Sequence, residues 1–235
     1  MDRFTYMRWL VDALGLPQSW MFEYLHIFMS IVVLGIISFS AVLVYPRLKQ
    51  VEYHLIPRGR TTIINLFEVI SEALLRIMTD VIGPDARKHF PLIASVFVYI
   101  LIGSLIGVVP GLSSPTENVN TNFAVAIVVF VYYNGVGIRT HGFFGYLKQM
   151  SGPIIWLMPL ILMIEVISHM VRPISLSIRL MGNIYGDHVV LGIFSELTPL
   201  LVPVIFMLMA IFVAFIQAFV FTLLSVIYIG LAERH

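Results

Sequence analysis

The sequence contains no cysteine and few charged residues. The absence of cysteine excludes disulfides, thiolate metal sites and cysteine nucleophiles. Charged residues are 11% of the 235 positions, hydrophobic residues are 59%, and the mean hydropathy is +0.96. Because a soluble domain carries about 25% charged residues, this composition indicates an integral membrane protein. The net charge of +1 argues against nucleic-acid binding. Residues 1–26 lack the apolar core of a signal peptide, so we expect no cleaved presequence.

Long apolar runs predict the membrane spans. A helix that crosses a hydrocarbon core of ~30 Å needs roughly 20 apolar residues. Three runs fit one crossing each: 27–44, 90–109 and 121–138. Two longer runs, 153–197 and 199–232, correspond to helices of about 68 and 51 Å. Either each folds back on itself, with Arg172-Pro173 as the break in the first, or the two form a steeply tilted hairpin. No polar loop accompanies the break, which favours the hairpin.

Residues 61–82 have a different pattern. Four charged side chains recur at four-residue spacing and therefore share one helix face, opposite apolar residues: Glu68, Glu72, Arg76 and Asp80. Such a helix is expected to lie on the membrane rather than cross it. The alternative is a shallow sixth span.

The distribution of basic residues predicts the orientation. Ten of the fourteen fall on one side of a five-crossing arrangement: Arg47, Lys49, Arg58, Arg60, Arg76, Arg87, Lys88, Arg139, Lys148 and Arg234. Only Arg3 and Arg8 fall on the other. This bias places segment 1–26 outside and the C terminus in the cytoplasm. The predicted fold is a single all-α integral membrane domain of about five transmembrane helices plus one interfacial helix. No internal repeat is visible, unlike the duplicated halves of many secondary transporters.

A polar seam runs along the first of the two long helices. At 100° per residue, six polar side chains project within roughly 40° of one direction: Glu165, His169, Arg172, Arg179, Asn183 and Asp187. An ionisable group at bilayer depth costs about 2.5 to 3.5 kcal/mol on insertion scales, so such groups usually face protein or water and mark an ion path. A guanidinium stays protonated, so Arg179 cannot itself relay a proton.

Other interpretations of the seam remain open. Arg179 is either a functional charge, a snorkelling anchor or an ion-pair partner of Asp187. Glu165 and His169 either belong to an ion path or only solvate the helix end. Arg172, next to a proline, is expected to be their structural charge partner.

Two further polar residues bear on the same region. Gln217 and Arg179 are equally distant from a hairpin corner near residue 198, so we expect them to meet, although Gln217 could instead make a helix-packing hydrogen bond. His188 projects about 180° from Arg179 and lies roughly 13 Å further along the helix. It is either a packing residue or lines water that reaches in from outside, together with nearby polar groups: Asp187, Glu196, Ser104, Asn118 and Asn120.

Three segments resemble subunit a of rotary F-type ATP synthases. They are EVISHMVRPISLSIRLMGNIYGDH at 165–188, QAFVF at 217–221 and PTENVN at 115–120. The resemblance extends from the first span to the C terminus. It implies a non-catalytic membrane stator that works with a ring of c subunits, peripheral-stalk b subunits and the rest of the synthase in a bacterial inner membrane.

The resemblance also implies roles for individual residues. Arg179 separates two offset half-channels that carry protons to and from the carboxylates of the c ring. Glu165 belongs to the cytoplasmic half-channel, Asn183 and Gln217 lie near the arginine, and His188 occupies the acid or histidine position of the outer half-channel.

The sequence departs from the family pattern at two positions. Members with histidine at position 188 often have an acid seven residues before the glutamine, where this chain has Ala210. Asn118 replaces an aspartate found in some relatives. Asp187 or Glu196 is therefore expected to supply the missing carboxylate.

Two other functions compete with the stator. A secondary transporter could bind an anionic substrate at Arg179. A b-type haem protein is disfavoured because His169 and His188 are about 28 Å apart on one helix. No glycine-rich phosphate loop is present, and no cofactor is expected.

Overall fold

The computed structural model describes residues 18–48, 63–109, 112–150, 156–197 and 201–234. Within these ranges the chain forms helices and no strand: α1 Gln18–Leu48, α2 Ile63–Ile82, α3 Ala86–Val108, a 3₁₀ helix Pro115–Glu117, α4 Val119–Met150, α5 Met158–Leu197 and α6 Leu201–Arg234. All α-helices except α2 are long and apolar enough to cross a membrane. The predicted class, an all-α membrane protein with five spans, is confirmed.

Helix α2 is amphipathic, as its spacing predicts. Leu74, Met78 and Ile82 are buried at four-residue intervals, and the helix packs against α3 and α6. The four charged residues of the opposite face are all exposed: Glu68, Glu72, Arg76 and Asp80. The helix ends at Gly83, whose φ of 101° is a left-handed conformation that favours glycine. This charged face accounts for the absence of α2 from the candidate spans.

Helices α5 and α6 form the two arms of a hairpin. Helix α5 continues without interruption through Pro173, so the first long run does not fold back at that point. Its 40 residues and the 34 of α6 correspond to about 60 and 51 Å. Both exceed the ~30 Å hydrocarbon thickness, so the arms must tilt or extend beyond it. The predicted corner at residue 198 lies outside the described residues.

Helices α1 and α4 are longer than the apolar runs 27–44 and 121–138 that predict them. Helix hydrogen bonding continues past the hydrocarbon boundary into more polar sequence, which the apolar run does not mark. In α4 the chain turns sharply at Gly142, where φ is 72° and ψ is 161°. Beyond it, Tyr146 packs on Gly137 and donates a hydrogen bond of 3.0 Å to Asn134 Oδ1.

The main core lies between α3, α4, α5 and α6. Phe97, Tyr133, Leu180 and Phe221 from these four helices are at most 2% exposed. The same packing fixes which faces of α5 and α6 point inward. The remaining faces expose apolar side chains, as expected for surfaces in contact with lipid or with another apolar partner.

Candidate functional site

Arg179 lies in the middle of α5 and its side chain is exposed. It forms no ion pair or hydrogen bond with any residue that the structure describes, so the expected alternative of an Arg179–Asp187 pair is not observed. Its neighbour Ile178 is 53% exposed. One turn further, a Cβ added to Gly182 would meet open space. The guanidinium is therefore presented on an open, largely apolar helix face.

A first group of polar side chains combines three residues that precede Arg179 on α5 with one tyrosine of α6. We call Glu165, His169, Arg172 and Tyr228 the Glu165 cluster. Glu165 Oε1 lies 3.5 Å from Arg172 Nη2 and 3.4 Å from His169 Nδ1. Arg172 Nη1 lies 3.4 Å from His169 Nε2. The prediction that Arg172 is a charge partner of Glu165 and His169 is confirmed.

Aromatic rings enclose this cluster from two other helices. The Arg172 guanidinium lies over the Tyr228 ring of α6, 4.7 Å from its centroid. The Tyr133 ring of α4 lies 5.9 Å from the His169 ring and 5.7 Å from that of Tyr228. Such cation–π and ring contacts hold the arginine against the bundle. Only Glu165, with 37% of its side chain exposed, opens outward.

A second group of polar side chains follows Arg179. We call Glu117, Asp187, His188 and the carbonyl of Gly107 the His188 cluster. His188 Nε2 lies 3.1 Å from the Gly107 carbonyl oxygen. His188 Nδ1 lies 3.6 Å from Glu117 Oε1. The imidazole therefore links α5 to both α3 and the 3₁₀ helix.

The segment before α4 brings Glu117 to this position. Ser114 Oγ donates to the Gly103 carbonyl at 2.8 Å and accepts from the Thr116 amide at 3.2 Å. Asn122 Nδ2 donates to the Thr116 carbonyl at 2.7 Å. A Cβ on Gly107 would lie 2.6 Å from Ser114 Cβ, so glycine is required for this approach. The buried segment thus meets its backbone hydrogen-bonding needs while it packs on α3.

A cavity of about 30 Å³ extends from His188 toward the level of Arg179. This volume is enough for a water molecule. Its polar lining comes from four side chains, namely Ser104, Asn183, Asp187 and Gln217, in addition to His188. Asn118 and Asn120, which were expected beside this path, do not line it. Asn118 Oδ1 instead accepts a 2.9 Å hydrogen bond from the Asn120 amide.

Gln217 meets Asn183 rather than Arg179. Asn183 Nδ2 donates to Gln217 Oε1 at 2.7 Å, and Gln217 is only 4% exposed. The expected contact between Gln217 and Arg179 is absent among the described contacts, so that prediction is wrong in its partner. Gln217 lies 16 residues after the start of α6, and Asn183 and Arg179 lie 14 and 18 before the end of α5. Asn183 and Arg179 are thus at similar positions relative to Gln217 along the hairpin, and the hydrogen bond forms with Asn183.

The six residues of the seam do not share one environment. His169 is buried, Arg179 and Asn183 are exposed, and Asp187 is half-buried. The exposure of the seam therefore varies along α5 and is high at Arg179 and Asn183, which a straight-helix projection does not show. Glu196 belongs to α5, but its side chain lies outside the described part of the chain. No group of three His, Asp or Glu side chains in the described ranges is arranged to hold a metal ion.

Comparison with known proteins places this chain in a family. The family model described as ATP synthase A chain matches residues 27–230, which include both clusters and Arg179. The chain belongs to this family. It is 43% identical to ATP synthase subunit a 1 of Syntrophotalea carbinolica over 239 residues, which cover 99% of this chain and 98% of the relative. It is 50% identical to ATP synthase subunit a of Trichlorobacter lovleyi over 173 residues, covering 73% and 75%.

The sequence pattern did not indicate one member of the His188 cluster. Glu117 lies in the PTENVN segment beside Asn118, and no helical spacing or motif assigns it a role. The structure brings Glu117 to His188, 71 positions away in sequence. No helical spacing connects the two residues, because they lie on different elements. The feature of the sequence that could have indicated Glu117 is that it is the sole carboxylate in the PTENVN segment.

Proposed function

We propose that this chain is the proton-conducting stator subunit of an F-type ATP synthase. The observation that carries the proposal is the position of Arg179, exposed on α5 between two clusters of titratable groups. His169 and His188 lie about 15 and 13 Å from it along the helix, in opposite directions. In this proposal the two clusters belong to two half-channels, and Arg179 separates them.

The Glu165 cluster would belong to the cytoplasmic half-channel. The His188 cluster and its cavity would belong to the outer half-channel, with Asp187, His188 and Glu196 as candidate relay groups. Asn183 and Gln217 lie between that cavity and Arg179, and their amides would orient water or the arginine. The choice of which cluster faces the cytoplasm rests on the distribution of Lys and Arg, because their excess predicts the cytoplasmic ends of the spans.

The exposed face around Arg179 fits a ring of c subunits. Exposed apolar side chains are frequent on α5 and α6, including Ile174, Ile178, Phe212 and Phe215. The open space at Gly182 lets a partner helix approach closely. A carboxylate carried past this face by the ring would pair with Arg179, which favours its ionised form and the release of its proton.

Arg179 would also prevent leakage. A guanidinium keeps its proton at any physiological pH, so it cannot hand a proton from one half-channel to the other. Protons would then cross only when a ring carboxylate carries them around. We further propose that the chain works with b subunits and the remaining synthase in a bacterial plasma membrane; its relatives are bacterial proteins named as subunits of ATP synthase.

A transporter with substrate at Arg179 is less well supported. A small-molecule site usually encloses most of its ligand, whereas Arg179 is exposed and does not line the cavity beside His188. A small substrate bound at Arg179 would therefore not be enclosed by the described part of this chain.

Assembly tests the proposed function. The tagged chain, extracted in mild detergent, should co-purify with a small two-helix proteolipid and a multi-subunit ATPase, and that ATPase should pump protons when reconstituted. Arg179→Lys should assemble equally well but lose most ATP synthesis, because an ammonium lacks the bidentate fork and can lose its proton. A well-folded monomer that transports a solute without these partners would overturn the proposal.

A further inference from the structure

The His188 cluster contains a carboxylate that the expected half-channel does not include, Glu117. Its side chain is 27% exposed, compared with 17% for His188, and the two meet at 3.6 Å. His188 also lines the cavity that reaches Asn183. We infer that Glu117 and His188 form a two-group proton relay, with Glu117 on the more solvent-accessible side. The inference rests on the proposed function and names the carboxylate of its outer half-channel.

The hydrogen bond to Gly107 decides which nitrogen of His188 faces Glu117 as a proton acceptor. A carbonyl oxygen only accepts, so Nε2 carries the hydrogen in the 3.1 Å contact. In the neutral imidazole, Nδ1 then carries no hydrogen and is the nitrogen that accepts a proton. This atom is the one that lies 3.6 Å from Glu117 Oε1. A shift of about 0.5 Å brings the pair into hydrogen-bond range.

The relay step is a simple proton transfer. When Glu117 is protonated, its O–H bond breaks as an N–H bond forms at Nδ1 of His188. A carboxylic acid and a neutral imidazole become a carboxylate and an imidazolium. The imidazolium then gives one proton to water in the cavity and returns to the neutral form. In the direction of ATP-driven pumping the same steps run in reverse.

Hydrogen bonds of 2.6 to 3.2 Å among Ser114, Thr116, Asn122 and the Gly103 carbonyl position the segment that carries Glu117. Ser113 Oγ lies 3.5 Å from Oε2 of Glu117 and donates to it, and the other carboxylate oxygen, Oε1, lies toward His188.

The other walls of the cavity supply no equivalent carboxylate except Asp187. Helix α6 contributes Ala210, Ala214 and Gln217 to the lining, and α3 contributes Ser104 and backbone. Position 210 on the α6 wall is an alanine, and Glu117 of the 3₁₀ helix approaches His188 from another side.

The absence of cysteine permits a direct chemical test. In the assembled synthase, Glu117→Cys creates the only thiol in this chain. Iodoacetate converts it to a carboxymethyl group that restores a carboxylate, and iodoacetamide adds a neutral group of nearly equal size. ATP-driven proton pumping is measured in inverted vesicles and expressed per assembled complex. The unsubstituted complex treated with each reagent is the control.

We expect Glu117→Cys to lower pumping by about tenfold or more, less than the ~10²–10⁴ of a sole proton-transfer group because Asp187 remains. Iodoacetate should restore most of the loss, and iodoacetamide should not. Normal pumping by Glu117→Cys, or equal effects of the two reagents, overturns the inference.

A second pair of variants tests the relay if the Glu117→Cys complex does not assemble. Glu117→Gln should pump poorly, and adding Ala210→Glu on the facing wall should restore pumping. Glu72→Gln, on the exposed face of α2, serves as a control with unchanged pumping. If Ala210→Glu gives no recovery, the relay is wrong. Arg179→Ala in the same membranes separates the two claims. Normal pumping by Arg179→Ala would overturn the proposed function. If Arg179→Ala stops pumping while the Glu117 variants pump normally, only the relay is overturned.

Discussion

The Glu165 cluster and the His188 cluster lie at similar distances from Arg179, but the chain builds them differently. The acid, base and cation of the first come from one helix at spacings of four and three residues. The second combines α5 with a backbone carbonyl of α3 and a carboxylate of the 3₁₀ helix. Charged groups that share one helix keep their spacing when neighbouring helices shift, whereas a cluster across three elements depends on their packing. The His188 cluster should therefore be the more sensitive to steric change.

The largest expected effect follows from the close approach at Gly107. In Gly107→Ala the new Cβ would lie 2.6 Å from Ser114 Cβ, which must displace the segment that holds Glu117. Such overpacking typically costs about 1–3 kcal/mol, and proton pumping should be nearly abolished. Thermal stability of the complex and pumping rates measure the two effects. Gly135→Ala in α4 is the matched control, because its Cβ would meet nothing within 4 Å. Equal behaviour of the two variants would remove the distinction between the clusters.

An intermediate effect is expected from removing one titratable group in each cluster. His188→Ala should leave partial pumping, because Asp187 and Glu196 remain, and His188→Ala with Glu196→Gln should abolish it. Glu165→Gln should cost less than tenfold, under ~1.4 kcal/mol of barrier, since the Glu165 side chain is itself 37% exposed. ATP-driven acidification of inverted vesicles compares all three. Full loss in His188→Ala alone would rule out redundancy at that end.

The smallest effect concerns the amide pair next to Arg179. Gln217→Leu leaves Asn183 Nδ2 without its 2.7 Å acceptor, and Asn183→Leu removes the donor. Interhelical hydrogen bonds in membranes are worth about 0.6 kcal/mol on average and ~1.7 at most. A double-mutant cycle on the unfolding of the purified complex should give a coupling energy in this range. Coupling indistinguishable from zero would show that the pair does not hold the hairpin together.

The same comparison explains how much could be predicted from the sequence. Periodicity places Glu165, His169 and Arg172 together and predicts the amphipathic face of α2, because these features depend only on helix geometry. Apolar run lengths predict the five spans, but they do not mark where α4 turns at Gly142. Packing between elements has no such signature, so the pairing of Glu117 with His188 could not be foreseen.

The pairing of Gln217 shows the limit of counting along a hairpin. Equal distances from the corner correctly bring Gln217 to the level of the seam. They do not distinguish Arg179 from Asn183, which lie one helical turn apart on the same side. Side-chain reach and hydrogen-bond geometry decide between them, and these depend on the packed structure.

The central claim is that Arg179 couples and separates the two paths. The most direct measurement compares ATP synthesis and passive proton flux in the same membrane vesicles carrying Arg179→Ala. The account predicts that synthesis is abolished while the membrane sector leaks protons, because nothing then blocks transfer between the half-channels. The vesicles should retain normal amounts of assembled complex. Coupled synthesis near the wild-type rate, with no added leak, would contradict the account.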